Sequence, residues 1–188
     1  MQKNWELPDS YRYGYPSIGI DLLRALSSEA EKYLTETTKT ADSITAKARW
    51  AIPFAIGIFS TCFGYLVTPG GDFILKLTCA FGATLCMLSG IYLFIADRKY
   101  RIHVIGSPPS LVILEDYIED VDDQQSQEKI FLLNKCLDFE VRIRFNDEVN
   151  IKRQARVNLG ILLLQLSPLS LILARIVGFF YGLLIPDL

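Results

Sequence analysis

The chain alternates between long polar stretches and three stretches in which apolar residues occupy every face: Trp50–Val67, Phe73–Ala96 and Val157–Ala174. Lys76 is the one charged residue in all three. Eighteen residues of helix rise about 27 Å, close to the roughly 30 Å hydrocarbon core of a bilayer. A backbone in lipid must satisfy its own hydrogen bonds, and the period-two pattern of a membrane barrel is absent, so these stretches predict helices. The first two are separated by Thr68-Pro69-Gly70-Gly71-Asp72, whose Pro-Gly-Gly is a strong breaker; they predict a tight hairpin. A soluble chain of 188 residues has too little polar sequence to wrap three such helices.

The polar stretches carry a three-four periodicity. Asp21–Arg49 has no Gly or Pro, and Leu23, Leu26, Ala30, Tyr33, Thr37, Ile44 and Ala48 fall near one helical face that leads into Trp50. After the hairpin, Ile102–Ile105 suits a short strand, and Ser107-Pro108-Pro109-Ser110 is a turn that opens a helix at Leu111–Val121. Glu115, Asp116, Glu119, Asp120, Asp122 and Asp123 then form a solvated acidic face; the Gly and bidentate Glu of a calcium loop are missing. From Ser126 to Arg175 Gly160 and Pro168 are the only breakers, which predicts one helix on the order of 70 Å long that enters the membrane at Val157. Its polar half has apolar residues at Ile130, Leu133, Leu137, Val141 and Phe145, a stripe that needs other helices or a second subunit to cover it. Beyond Arg175, the aromatic segment Ile176–Leu184 either extends the third span or lies in the headgroup layer.

Charge adds an orientation. The segment before the hairpin holds seven Lys and Arg, the segment Asp97–Arg156 holds ten, and the hairpin turn and the last residues hold none. Basic loops stay cytoplasmic. The N-terminus and central segment are therefore expected inside, and the hairpin turn and C-terminus outside. The expected protein is an all-α membrane protein with three transmembrane helices and a small helical cytoplasmic part. Its division is 1–49 (cytoplasmic lead-in), 50–96 (hairpin), 97–156 (cytoplasmic helices) and 157–188 (third span and outer tail). The polar first fifty residues lack the apolar core of a cleavable signal, so the first span is expected to act as its own insertion signal.

Candidate chemistry is sparse. Cys62, Cys79 and Cys86 lie in spans and Cys136 on the reducing side, which argues against a disulfide framework. His103 has no Cys or His at metal-ligand spacing, and no CxxC, HExxH, GxxxxGK[ST] or GxSxG occurs. No enzyme, metal or cofactor is expected. In the third span, Asn158, Ile161, Gln165, Pro168, Ile172, Arg175 and Phe179 share one face; Asn158, Gln165 and Arg175 are its polar members. They either line a pore or bond helix to helix, with Arg175 alternatively snorkelling to headgroups as Lys76 does. Arg98, Lys99, Arg101, Lys152, Arg153 and Arg156 flank the spans, and Arg142 and Arg144 extend the positive surface. They either fix topology against anionic lipid or bind the phosphates of a nucleotide, with Tyr100 and Phe139 near enough in sequence to stack on bases.

A polar helical lead-in (Ala30-Glu31-Lys32-Tyr33-Leu34 through Ala41-Asp42-Ser43-Ile44-Thr45-Ala46-Lys47), a tight two-span hairpin and a long helix entering a last span resemble the small membrane effectors of bacterial antiphage defence. The layout is similar to Pycsar-type and SLATT-type effectors and closest to the membrane effector of Hailong systems. That resemblance implies a homo-oligomer in the bacterial inner membrane, whose channel or membrane-disrupting activity is controlled by a nucleotide or oligonucleotide made by a partner nucleotidyltransferase. Independently, the apolar stripe Ile130–Phe145 and the polar stripe Asn158–Arg175 both need partners, so the expectation is a homo-oligomer of at least three subunits with the third span nearest the axis. The alternative function is a non-conducting anchor that recruits a soluble partner through residues 21–49 and 111–156.

Overall fold

A computed structural model describes residues 18–98, 102 and 124–184, with side chains left out at 124–126, 171, 174, 175 and 177–184. The described residues form three helices and no strand: α1 (Ile20–Val67), α2 (Phe73–Asp97) and α3 (Gln124–Leu184). The Leu111–Val121 helix, the strand expected at Ile102–Ile105 apart from Ile102 itself, and His103 lie outside the described residues. α3 starts two residues before the expected Ser126 and continues unbroken through Leu184, so the aromatic segment after Arg175 extends the helix. Pro53 and Pro168 sit inside α1 and α3 without ending them.

The hairpin turn is built by its glycines. Gly70 and Gly71 adopt φ of 81° and 99°, a region costly to any side chain with a Cβ. Asp72 then caps α2 by accepting the Ile74 N–H at 2.9 Å. Lys76 Nζ donates to the Thr68 carbonyl at 3.0 Å, placing a cation at the C-terminal end of α1, where the helix dipole is negative.

The chain divides into two compact units. In the first, residues 18–41 of α1 pack on residues 124–150 of α3. Leu23, Ser27, Leu34, Thr37 and Ala41 are buried on α1; Leu132, Cys136, Phe139, Ile143, Asn146 and Asn150 are buried on α3. Both sets advance by alternating steps of three and four or by sevens, the repeat of coiled-coil seams. This corrects the expected stripes. Ile130, Leu133, Leu137, Val141 and Phe145 are half-buried flanks, and Leu26 and Tyr33 are exposed. The true seam was concealed because polar residues, Asn146 and Asn150, continue it.

The second unit comprises residues 42–98 and 151–184. Its interior is mostly small: Ala48, Ala51, Ala55 and Cys62 on α1, Cys79, Gly82, Ala83, Cys86, Ser89 and Ala96 on α2, Gly160 and Ser167 on α3, with Ile44, Leu93 and Val157 as the large apolar members and Arg153 at one end. The exterior is large and apolar, including Trp50, Phe54, Phe63, Phe73, Phe81, Met87, Phe94, Leu162 and Leu169. Water-soluble folds do the opposite, hiding the big side chains. α1 and α2 each contain a stretch long and apolar enough to cross a membrane, and these stretches are only 17% and 39% buried, unlike the core helix of a soluble domain.

Candidate functional site

Three sets of polar residues stand out, and each is positioned by the helical repeat. The first is a buried layer in the 18–41 and 124–150 unit. Asn146 Nδ2 donates to Thr37 Oγ1 at 3.1 Å, Asn150 Nδ2 donates to the Thr37 carbonyl at 2.8 Å, and Thr37 Oγ1 donates to the Leu34 carbonyl at 2.8 Å. Asn150 Oδ1 is buried with no hydrogen-bond partner among the described residues. An unmatched buried acceptor costs about 1–3 kcal/mol, so this layer favours one register of α1 on α3 at the expense of stability. Above it, Leu34, Phe139 and Ile143 form an apolar core. Burial there raises the Cys136 thiol above its ordinary value, which keeps it protonated and unreactive, and burial likewise raises the Asp147 carboxyl.

The second set holds the helices of the other unit together. Ser89 Oγ donates to the Gly160 carbonyl at 2.7 Å. Cys86 Sγ lies 3.1 Å from Ser167 Oγ, which in turn donates to the Gly82 carbonyl at 3.3 Å. A Cβ on Gly160 would stand 2.8 Å from Leu93 Cγ, so the glycine is what lets α2 and α3 approach. At one end of this interface sits Arg153, 3% exposed. Its Nε donates to the Ala96 carbonyl at 3.0 Å and a terminal nitrogen donates to Thr45 Oγ1 at 2.7 Å. The guanidinium thereby satisfies a carbonyl at the end of α2 and bridges to α1. Sequence reasoning assigned Arg153 to an exposed basic surface; the seam spacing Arg153, Val157, Gly160 is the signal that places it inside.

The remaining basic residues differ in their partners. Arg142 pairs with Asp138 at 2.8 Å and Arg144 with Glu140 at 2.6 Å, each one turn away on the same helix. Arg98 places its guanidinium 5.9 Å from the Phe94 ring centroid. Lys152 is exposed and Arg156 half-buried, both with further electrostatic or hydrogen-bond partners. Lys99 and Arg101 lie outside the described residues. Tyr100, considered for base stacking, is outside them too, while Phe139, the other, is buried in the coiled-coil seam.

The third set is exposed. Asn158 and Gln165 are both exposed. Asn158 Oδ1 accepts from Gln154 Nε2 at 2.6 Å, and Gln165 has no partner among the described residues. Ile161, assigned to the same face by sequence, packs against the unit's own core instead. The side chain of Arg175 is outside the described set.

No family model, curated protein or solved structure matches this chain. Function has to be argued from these three sets. Among the described residues no group of three or more His, Cys, Asp or Glu side chains is placed to hold a metal.

Proposed function

We propose that this chain is the subunit of an oligomeric effector that conducts ions across a bacterial inner membrane, under control of a nucleotide or oligonucleotide at its cytoplasmic part. In this reading α3 supplies a third span from Val157. The N-terminus and residues 97–156 face the cytoplasm, and the hairpin turn and C-terminus face the periplasm, as the Lys and Arg distribution favours. The resemblance to antiphage membrane effectors points to defence, with a partner nucleotidyltransferase as the source of the ligand.

The observation that carries the reading is the exposure of Asn158 and Gln165 on an otherwise apolar helix surface. A carboxamide facing lipid loses its hydrogen bonds, whereas facing a water-filled axis between subunits it keeps them. The interhelical bonds that hold the unit together are made elsewhere, by Ser89, Cys86 and Ser167, so these amides are not needed as glue within the chain. The ligand surface in this proposal centres on Arg98, Lys99, Arg101, Lys152 and Arg156. Arg142 and Arg144 contribute only if a phosphate displaces Asp138 and Glu140, and Arg153 is a structural member of the bundle.

Substituting Gln165→Leu tests the pore. A narrow apolar constriction dewets and blocks ions. Expression of the variant should depolarise cells much less than the parent, read with a voltage-sensitive dye, while oligomer size is retained. Normal depolarisation by an intact oligomer would overturn the pore reading. Unchanged size without any depolarisation by the parent chain itself would favour the anchor.

A further inference from the structure

The exposed polar residues of α3 belong to a second heptad seam, and its partner is chemically specified. Ile151, Ala155, Asn158, Leu162, Gln165, Leu169, Ile172 and Ile176 advance by steps of four and three, and every one of them is exposed. The seam that α3 uses inside the chain runs through Arg153, Val157, Gly160 and Ser167, also with three-four spacing. At 3.5 residues per turn the two seams lie roughly 150° apart around the helix, so α3 has one face for its own chain and another left over. Because both follow the same 3.5 repeat, the supercoil imposed by the inner seam keeps the outer one straight. The outer seam turns away from Ile161, which packs on the core, and toward Leu162 and Leu169, each 51% exposed.

We propose that this seam is the surface on which copies of the chain assemble in parallel and in register about a rotation axis, with Asn158 and Gln165 forming two polar rings. The proposal rests on the oligomeric reading above and names its contact face. Lipid offers nothing to an amide, and a different apolar protein helix would leave it equally unmatched. A carboxamide carries both donor and acceptor, so the same amide on a second copy complements it around the axis, directly or through the water of the lumen, while the apolar positions of the seam carry the contact itself. Gln165 has no other partner among the described residues, and only Asn158 Oδ1 is taken up, by Gln154. All copies insert with the same topology and so run parallel, and two rings spaced by seven residues, about 10 Å of rise, then match like with like only when the copies are unshifted. Of the seam's other positions, Leu162, Leu169, Ile151, Ile172 and Ile176 carry the γ- and β-branched side chains that such contacts pack, and Ala155 is small.

Cysteine cross-linking in native membranes tests it, on the full chain. The four native cysteines are buried and provide a low background. Leu162→Cys and Leu169→Cys should form disulfide-linked dimers on mild oxidation in several-fold higher yield than Leu163→Cys, which lies well off the seam. A size measurement and dye-reported depolarisation are made on the same preparations. Equal cross-linking at position 163, or none at 162 and 169 in a protein that is still oligomeric and conducting, overturns the seam and leaves the effector reading standing. A monodisperse monomer in mild detergent overturns both.

Discussion

At the scale of single residues, Arg153 shows how burial changes a side chain's meaning. In the sequence it is one of a run of bases beside a span, and only its partners reveal a different task. Its planar fork gives two directional hydrogen bonds, to the Ala96 carbonyl and the Thr45 hydroxyl. Arg153→Met should remove bonds worth about 1.5–3 kcal/mol and lower the melting temperature in detergent by roughly 5–10 °C. Arg153→Lys should recover part of that loss, because an ammonium is a point donor that cannot span both acceptors. If Arg153→Met melts like the parent and loses nucleotide control instead, the arginine contacts the ligand and its burial is not what matters. The sequence could not have separated these outcomes, since flanking Arg serves topology, lipid and ligand alike.

At the scale of elements, boundaries were legible and phase was not. Pro69, Gly70, Gly71 and Asp72 announce the turn, and a run broken only by the isolated Gly160 and Pro168 announces the length of α3. Inside a span, however, apolar residues surround the helix and hydrophobicity loses its contrast. The inner face is marked instead by Gly, Ala, Ser and Cys recurring at the coiled-coil repeat. In the polar half the inner face passes through Asn146 and Asn150, which a search for apolar stripes steps over. The candidate site followed suit: Asn158 and Gln165 were visible as polar residues in an apolar stretch, but Leu162 was hidden among identical leucines. Two glycines measure how tight the helix contact is. Gly160→Ala drives a methyl to 2.8 Å from Leu93 Cγ and 3.3 Å from the Ser89 carbonyl. Overpacking of about 1–3 kcal/mol should outweigh the roughly 1 kcal/mol gained in helix propensity and lower the melting temperature. Gly90→Ala meets nothing within 4 Å and should be neutral or stabilising. Equal melting of the two variants would mean that α2 and α3 are not in close contact at Gly160.

At the scale of the whole molecule, the proposal makes a statement about sides. Thr68 and Lys47 are both exposed, one at the hairpin turn and one before the first span. In intact spheroplasts a membrane-impermeant maleimide should label Thr68→Cys and leave Lys47→Cys unlabelled until the membrane is opened. The reverse pattern would invert the topology and move the basic residues to the outer face, where a cytoplasmic nucleotide has no access. The inside-out distribution of large and small side chains in the membrane-type unit already sets the solvent against which such variants must be judged: stability belongs in detergent or lipid, since Phe54, Phe81 and Leu169 have no place in water.

The five-residue hairpin turn has one more consequence, for the birth of the protein. On the proposed topology, Thr68–Asp72 is all that must be carried across the bilayer when the first two spans insert. Its side chains include a single carboxylate, Asp72, and no base. The resting potential, negative inside, pulls an anion outward with about 2.3 kcal/mol per elementary charge per 100 mV. Lys76 follows closely and opposes that pull until it reaches the headgroups and donates to the Thr68 carbonyl. The two charges thus nearly cancel in the field, and a turn this short crosses as a neutral hairpin with no long tail to be threaded through the membrane.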